Sequence, residues 1–127
     1  MNRNTGKIKV HNYWIAVDPG LLIQPENVLA QLEGAAVFGL SLALIEELTI
    51  QNGAVVQSNF NDYPVLCMSD MPEIHTQIGA SSAPPTGIGE IGVLCGAPAI
   101  ANAVFQLTGK RLRHLPMSPR HVKKVMA

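Results

Sequence analysis

Charge is what this sequence of 127 residues has least of. Only 14% of it is Asp, Glu, Lys or Arg, where roughly one-quarter is usual for a soluble domain, while 47% is hydrophobic. So few charges cover a surface poorly, which favours a subunit or a piece of something larger over a free monomer. The net charge is zero, so no global field attracts nucleic acid or anionic lipid. All nine acidic residues lie between Asp18 and Glu90, and six of the nine basic ones crowd into residues 110–124. With aromatics at 5% and none interleaved there, that basic tail reads as a solvated or intersubunit segment rather than a nucleic-acid patch.

Cysteine is nearly absent too. Cys67 and Cys95 stand far apart with no C-x-x-C, which excludes a disulfide framework or a zinc site and fits a reducing, cytoplasmic setting. His11, His75, His114 and His121 share no metal-ligand spacing. Met1–Gly6 is followed by no apolar core and does not read as a signal peptide. The stretch from Ile91 to Gly109 has no charge, but Gly92, Gly96, Pro98, Asn102, Gln106 and Thr108 make it too polar and broken to span a membrane. A helix buried in protein is expected there.

The length predicts one domain over residues 1–127. Residues 7–17 read as a strand closed by Asp18-Pro19-Gly20, and Pro25-Glu26 opens a helix reaching about Leu48. That helix carries no charge from Gly34 to Ile45, so it is expected to be surrounded by protein, with Gly34 and Gly39 admitting a second backbone. Asn52-Gly53 predicts a hairpin, and residues 73–78 a further strand. A Gly/Ser/Pro-rich loop follows over 79–89. A second helix starts between Ile91 and Pro98 and ends at Thr108, with Gly109 after it. Ser118-Pro119 opens a final basic turn. The class is α+β, two buried helices on a small, mostly antiparallel sheet. Cys95 reads as a small buried hydrophobe, and Met68, Met71 and Met117 as packing residues.

Chemistry concentrates in Ala83-Pro84-Pro85-Thr86-Gly87-Ile88-Gly89-Glu90-Ile91-Gly92. Its glycines let a backbone pack closely on a ligand, and Glu90 stands before an uncharged helix with no basic neighbour in sequence. A helix N-terminus favours its charged form and burial among apolar residues disfavours it. The balance suits a general base. Spacing alone ranks plain helix capping ahead of that role.

The run from Ala83 to Met117 resembles the terminal segment of the xanthine oxidase family of molybdenum hydroxylases, and in particular large subunits similar to isoquinoline 1-oxidoreductase and related aldehyde dehydrogenases. The matching pieces, in order, are Val17-Asp18-x-Gly20, Gln31-Leu32-Glu33-Gly34, Gly39-Leu40, Glu46-Glu47, Asn59-Phe60-Asn61-Asp62-Tyr63, Gly87-x-Gly89-Glu90, Ala97–Ala103 and Thr108–Arg111. Two departures stand out: Pro19 where relatives often carry cysteine, and Ile91 where they usually carry proline, which alters the loop behind Glu90.

The resemblance implies that Glu90 is the catalytic general base, deprotonating a hydroxyl on a molybdenum centre that attacks an aldehyde or N-heterocycle. It implies that Gln31, Gly87 and Gly89 lie against a molybdopterin-type cofactor whose metal needs no protein ligand. The family's large subunits are several times longer and dock an iron–sulfur small subunit. The chain is therefore expected to hold no cofactor and to be inert alone, its partners being the cofactor-binding remainder of a large subunit and that small subunit. The competing expectation is a non-catalytic structural domain that self-associates into a homo-oligomer.

Overall fold

The computed structural model describes residues 1–79 and 81–127; Ala80, inside the expected glycine-rich loop, lies outside the described residues. The order is β1 (Asn12–Val17), α1 (Pro25–Leu44), β2 (Ile50–Gln51), β3 (Ala54–Val55), a 3-10 turn (Met68–Asp70), β4 (Glu73–Ile78), α2 (Val93–Thr108) and α3 (Pro119–Met126).

β1 and β4 form one parallel pair, Asn12 opposite Glu73 through Val17 opposite Ile78. The α+β class stands, but the pairing sense differs from expectation. Among the described residues the antiparallel ladder is only the short β2–β3 hairpin. Its turn is the predicted one, with Asn52 and Gly53 both at positive φ (51° and 79°). The β1–β4 pair is parallel because α1 intervenes and returns the chain to the starting end of the sheet, a crossover that sequence alternation does not encode. β1 is also shorter than the 7–17 run. The ladder opens where the Glu73 amide donates to the His11 carbonyl at 2.9 Å, so, among the described residues, 7–10 have no partner on β4.

Tyr13 and Ile15 of β1 face Leu32, Ala36, Leu40 and Ala43 of α1 and Ile100 and Val104 of α2 in one buried cluster. α3 closes it with Val122 and the segment before it with Leu112 and Met117. At roughly 25 cal/mol per Å2 of apolar surface, each such large side chain contributes about 1.5–3 kcal/mol. α1 is long and apolar enough to cross a membrane by length and composition alone, yet this face forms the core. Its opposite face is open, with Phe38 and Leu42 exposed; the helices are buried on one side, not all round.

Glycines set the helix crossing. A Cβ on Gly39 would stand 2.6 Å from the Val93 carbonyl oxygen, and one on Gly96 3.1 Å from the Gly39 carbonyl carbon. Gly34 meets nothing within 4 Å, so of the two glycines expected to admit a backbone only Gly39 does. α2 runs through Pro98, a residue that costs a helix interior about 3 kcal/mol. Cys95, expected to be buried, is exposed, as is Met68, whereas Met117 is in the core.

Candidate functional site

The site is assembled by a turn and a loop that hold each other. In the Asp18-Pro19-Gly20 turn the Gly20 amide donates to Asp18 Oδ1 at 3.0 Å, and Gly20 takes φ +80°. The later loop ties onto it three times. The Leu21 amide donates to the Ala83 carbonyl (2.9 Å), and the Thr86 amide and hydroxyl both donate to the Pro19 carbonyl (2.9 and 3.2 Å). A Cβ on Gly20 would collide with the Pro84 carbonyl, so the approach requires glycine.

From this clamp the chain runs through Gly87-Ile88-Gly89 past the first half of α1. There Gly89 meets Gln31: a Cβ at Gly89 would sit 3.7 Å from the Gln31 amide nitrogen Nε2. Three of the four residues singled out in the sequence thus come together, Gln31, Gly89 and, adjoining, Glu90. Gly87 stands open, with nothing within 4 Å of its Cβ position. Glycine is not required there by the packing of this chain.

Glu90 lies in the turn that leads into α2, where its carbonyl accepts the Val93 amide at 3.0 Å. α2 has no side-chain cap; its N-cap is Gly92. The capping reading therefore fails. Among the described residues the Glu90 carboxylate has no hydrogen-bond or ion-pair partner, and it is exposed. Desolvation by apolar neighbours, expected from sequence, is not supplied by this chain's own residues. The apolar surroundings are open too, with Ile91 partly and Leu94 78% exposed on the same helix entrance. Behind Glu90 the position is firm: a Cβ on Gly92 would meet Ala35 Cβ at 2.9 Å and Ile15 Cδ1 at 3.3 Å, so the entrance to α2 is pressed onto α1 and β1.

The shifted acids lie elsewhere. Amide donors of Ser58 and Asn59 hold Asp62 below the usual carboxylate range, and a 2.8 Å hydrogen bond to Glu46 Oε2 keeps the Tyr63 phenol protonated to higher pH. Burial raises Tyr13, with the Cys95 thiol adding to it. His75 stacks on Trp14 and bonds Asn12 (3.1 Å), and His114 lies against His121. Among the described residues no three His, Cys, Asp or Glu side chains converge as a metal cage.

A molybdopterin-type group fits this surface on three observations. Gln31 offers an exposed amide beside Gly89, Gly87 has free space over its Cα, and the carboxylate of Glu90 is not used internally. Sequence reading named Gln31, Gly87, Gly89 and Glu90 but not the contact of Pro19 with Thr86 that anchors the loop; the signal for it was the pairing of two turn-rich stretches.

Residues 1–72 match the molybdopterin cofactor-binding domain family. Over 93% of its length the chain is 43% identical to the isoquinoline 1-oxidoreductase subunit beta of Brevundimonas diminuta. Over 96% it is 41% identical to a membrane-bound aldehyde dehydrogenase (pyrroloquinoline-quinone) of Gluconacetobacter polyoxogenes. It spans only 15% and 16% of the length of those relatives. Among solved structures, the aldehyde oxidoreductase of Desulfovibrio desulfuricans superposes on 98% of the chain with a TM-score of 0.83 at 25% identity. Quinoline 2-oxidoreductase of Pseudomonas putida superposes on 93% with a TM-score of 0.84 at 21% identity, a likeness of fold.

Proposed function

This chain belongs to the molybdopterin cofactor-binding domain family, and from that premise we propose that residues 1–127 form one domain supplying a wall of a molybdenum-cofactor site, with Glu90 as its general base. The reaction is oxidative hydroxylation of an aldehyde or an N-heterocycle, carried out once the remainder of a large subunit and an iron–sulfur subunit are assembled on the chain.

The observation that carries this reading is the placement of Glu90. Its carboxylate is neither cap nor ion-pair partner, and it stands on a backbone held by the Gly92 contact beside the Gln31 amide and two glycines. When bound, the molybdenum cofactor supplies the two-electron redox chemistry. The chain's own residues do the rest. The Gln31 amide would help hold the cofactor as a hydrogen-bond donor, and Gly87 and Gly89 would let that group lie against the backbone. Glu90 accepts a proton on a carboxylate oxygen as the nucleophile forms. A partner covering the surface around Ile91 and Leu94 would exclude bulk water from that carboxylate.

The test is co-expression with the Brevundimonas diminuta beta subunit deleted of its own matching region, followed by assays with aldehydes and N-heterocycles. Glu90→Gln should lower turnover by about 100- to 10,000-fold, the usual span for a general base, with assembly intact. Unchanged turnover in that variant removes Glu90 from the mechanism. One observation favours the second reading, a self-associating structural domain: Trp14, Phe38, Leu94 and Leu107 are all exposed. Sedimentation of the purified chain separates the two, since a stable homo-oligomer burying these residues would support the structural role.

A further inference from the structure

A two-stranded parallel sheet is not self-sufficient. All-parallel sheets occur with both faces covered, and a two-stranded pair needs a further strand or a packed helix. α1 and α2 supply the helices on one face here, and the outer edge of β1 is left bare among the described residues. The register of β1 on β4 decides what is left open. The Glu73 amide donates to the His11 carbonyl and the Gly79 amide to the Val17 carbonyl. In this ladder Tyr13, Ile15 and Val17 therefore turn their N–H and C=O groups toward β4. Asn12, Trp14 and Ala16 present theirs to the opposite edge, and all three are exposed.

Along that edge runs an apolar groove whose far wall is α2. Met1 and residues 8–14, Lys9, Asn12 and Trp14 among them, line one side and Ala99, Ala103 and Leu107 the other; Ala16 lies just beyond the groove, and no described residue of β4 takes part. The two alanines leave room beside the strand, and no charge stands on the helix wall. Trp14, 72% exposed, is held by stacking on His75 at 5.0 Å, and His75 is held by Asn12 at 3.1 Å.

We infer that this groove receives an extended segment of the same large subunit, added to β1 as a third strand. The inference rests on the proposal that the chain works inside a larger molybdenum-binding subunit. The chemistry of the groove commits the occupant to a strand: a row of free backbone donors and acceptors faces an apolar helix wall. A strand satisfies both, with its backbone on β1 and alternate apolar side chains on α2. Length points to the source, because the chain corresponds to 15% of the isoquinoline 1-oxidoreductase beta subunit, whose remaining polypeptide is available to supply the segment.

The probe is that beta subunit lacking its own matching region, co-expressed with the full 127-residue chain and followed by residue-resolved hydrogen exchange. In the free chain the amides of Tyr13, Ile15 and Val17 exchange slowly and those of Asn12, Trp14 and Ala16 quickly. In the complex the second set slows by about 100-fold or more. Ala16→Pro deletes an outward N–H while sparing the bonds to β4 and weakens assembly by about tenfold or more; Ala16→Val does not. Slow exchange at Ile15 verifies that the proline variant folds, and the wild-type exchange pattern decides the matter if it does not. A complex in which Asn12, Trp14 and Ala16 still exchange quickly overturns the inference. So does failure of any complex to form, or protection of these amides in the concentrated chain alone, which would assign the groove to a second copy. A protected edge with turnover indifferent to Glu90→Gln upholds the third strand and removes the catalytic reading instead.

Discussion

Replacing Gly39 by alanine tests the helix crossing that positions Glu90. In an isolated helix the change would stabilise by about 0.5–1 kcal/mol, because glycine loses more backbone entropy on folding. At this crossing the new methyl would lie 2.6 Å from the Val93 carbonyl oxygen, a backbone atom that cannot rotate away. Reaching an ordinary 3.4 Å contact means parting α1 from α2 by about 0.8 Å, which loosens Leu40, Ile100 and Val104 in the shared core. Overpacking of this kind costs about 1–3 kcal/mol, so after the propensity gain of about 0.5–1 kcal/mol a net loss of up to about 2.5 kcal/mol, about 1 kcal/mol at the midpoint, is expected. Gly34 on the same helix meets nothing within 4 Å, and Gly34→Ala should stabilise by the full propensity term of about 0.5–1 kcal/mol. Urea unfolding followed by circular dichroism at helix wavelengths measures both variants on one scale. Opposite signs support the crossing; equal stabilisation would show that the helices do not meet at Gly39, and the placement of Glu90 would fall with it.

Gly20→Ala should destabilise by about 2–4 kcal/mol, combining a left-handed backbone with overpacking against Pro84, visible as a lowered Tm and faster amide exchange at Leu21 and Thr86. Glu90→Gln should leave the stability of the free chain within about 0.5 kcal/mol, since the carboxylate makes no internal bond; a larger loss in urea unfolding would revive the capping role. Asp62 titrates below its ordinary value of 3.8 because its folded form accepts the Ser58 and Asn59 amides. Its contribution is full above the unfolded pKa and is lost as pH falls through the lower folded value. NMR signals of residues 58–62 should therefore hold to below that ordinary value, and Asp62→Asn should remove the acid transition. Tyr63 is shifted the other way by its hydrogen bond to Glu46, so its contribution is present below the unfolded pKa and lost as pH rises through the raised one. Glu46→Gln should bring its ultraviolet titration back toward 10.0.

Local order along the chain was legible in residue patterns because it depends on neighbours in sequence. Asn52-Gly53 set the hairpin, Pro25 opened α1, Gly109 closed α2, and the 73–78 strand began and ended where expected. The Gly-x-Gly-Glu run marked Glu90, and its resemblance to molybdenum hydroxylases pointed to the family that the matching relatives bear out. What only the tertiary structure decided was everything set by contacts distant in sequence. Those include the parallel sense of β1 on β4, the clamp of Pro19 on Thr86, the meeting of Gly39 with Val93, and Gln31 beside Gly89. The exposure of Glu90 belongs there too. A run of apolar residues states that a surface will be covered, whereas which surface, and by what, depends on geometry summed over the whole fold.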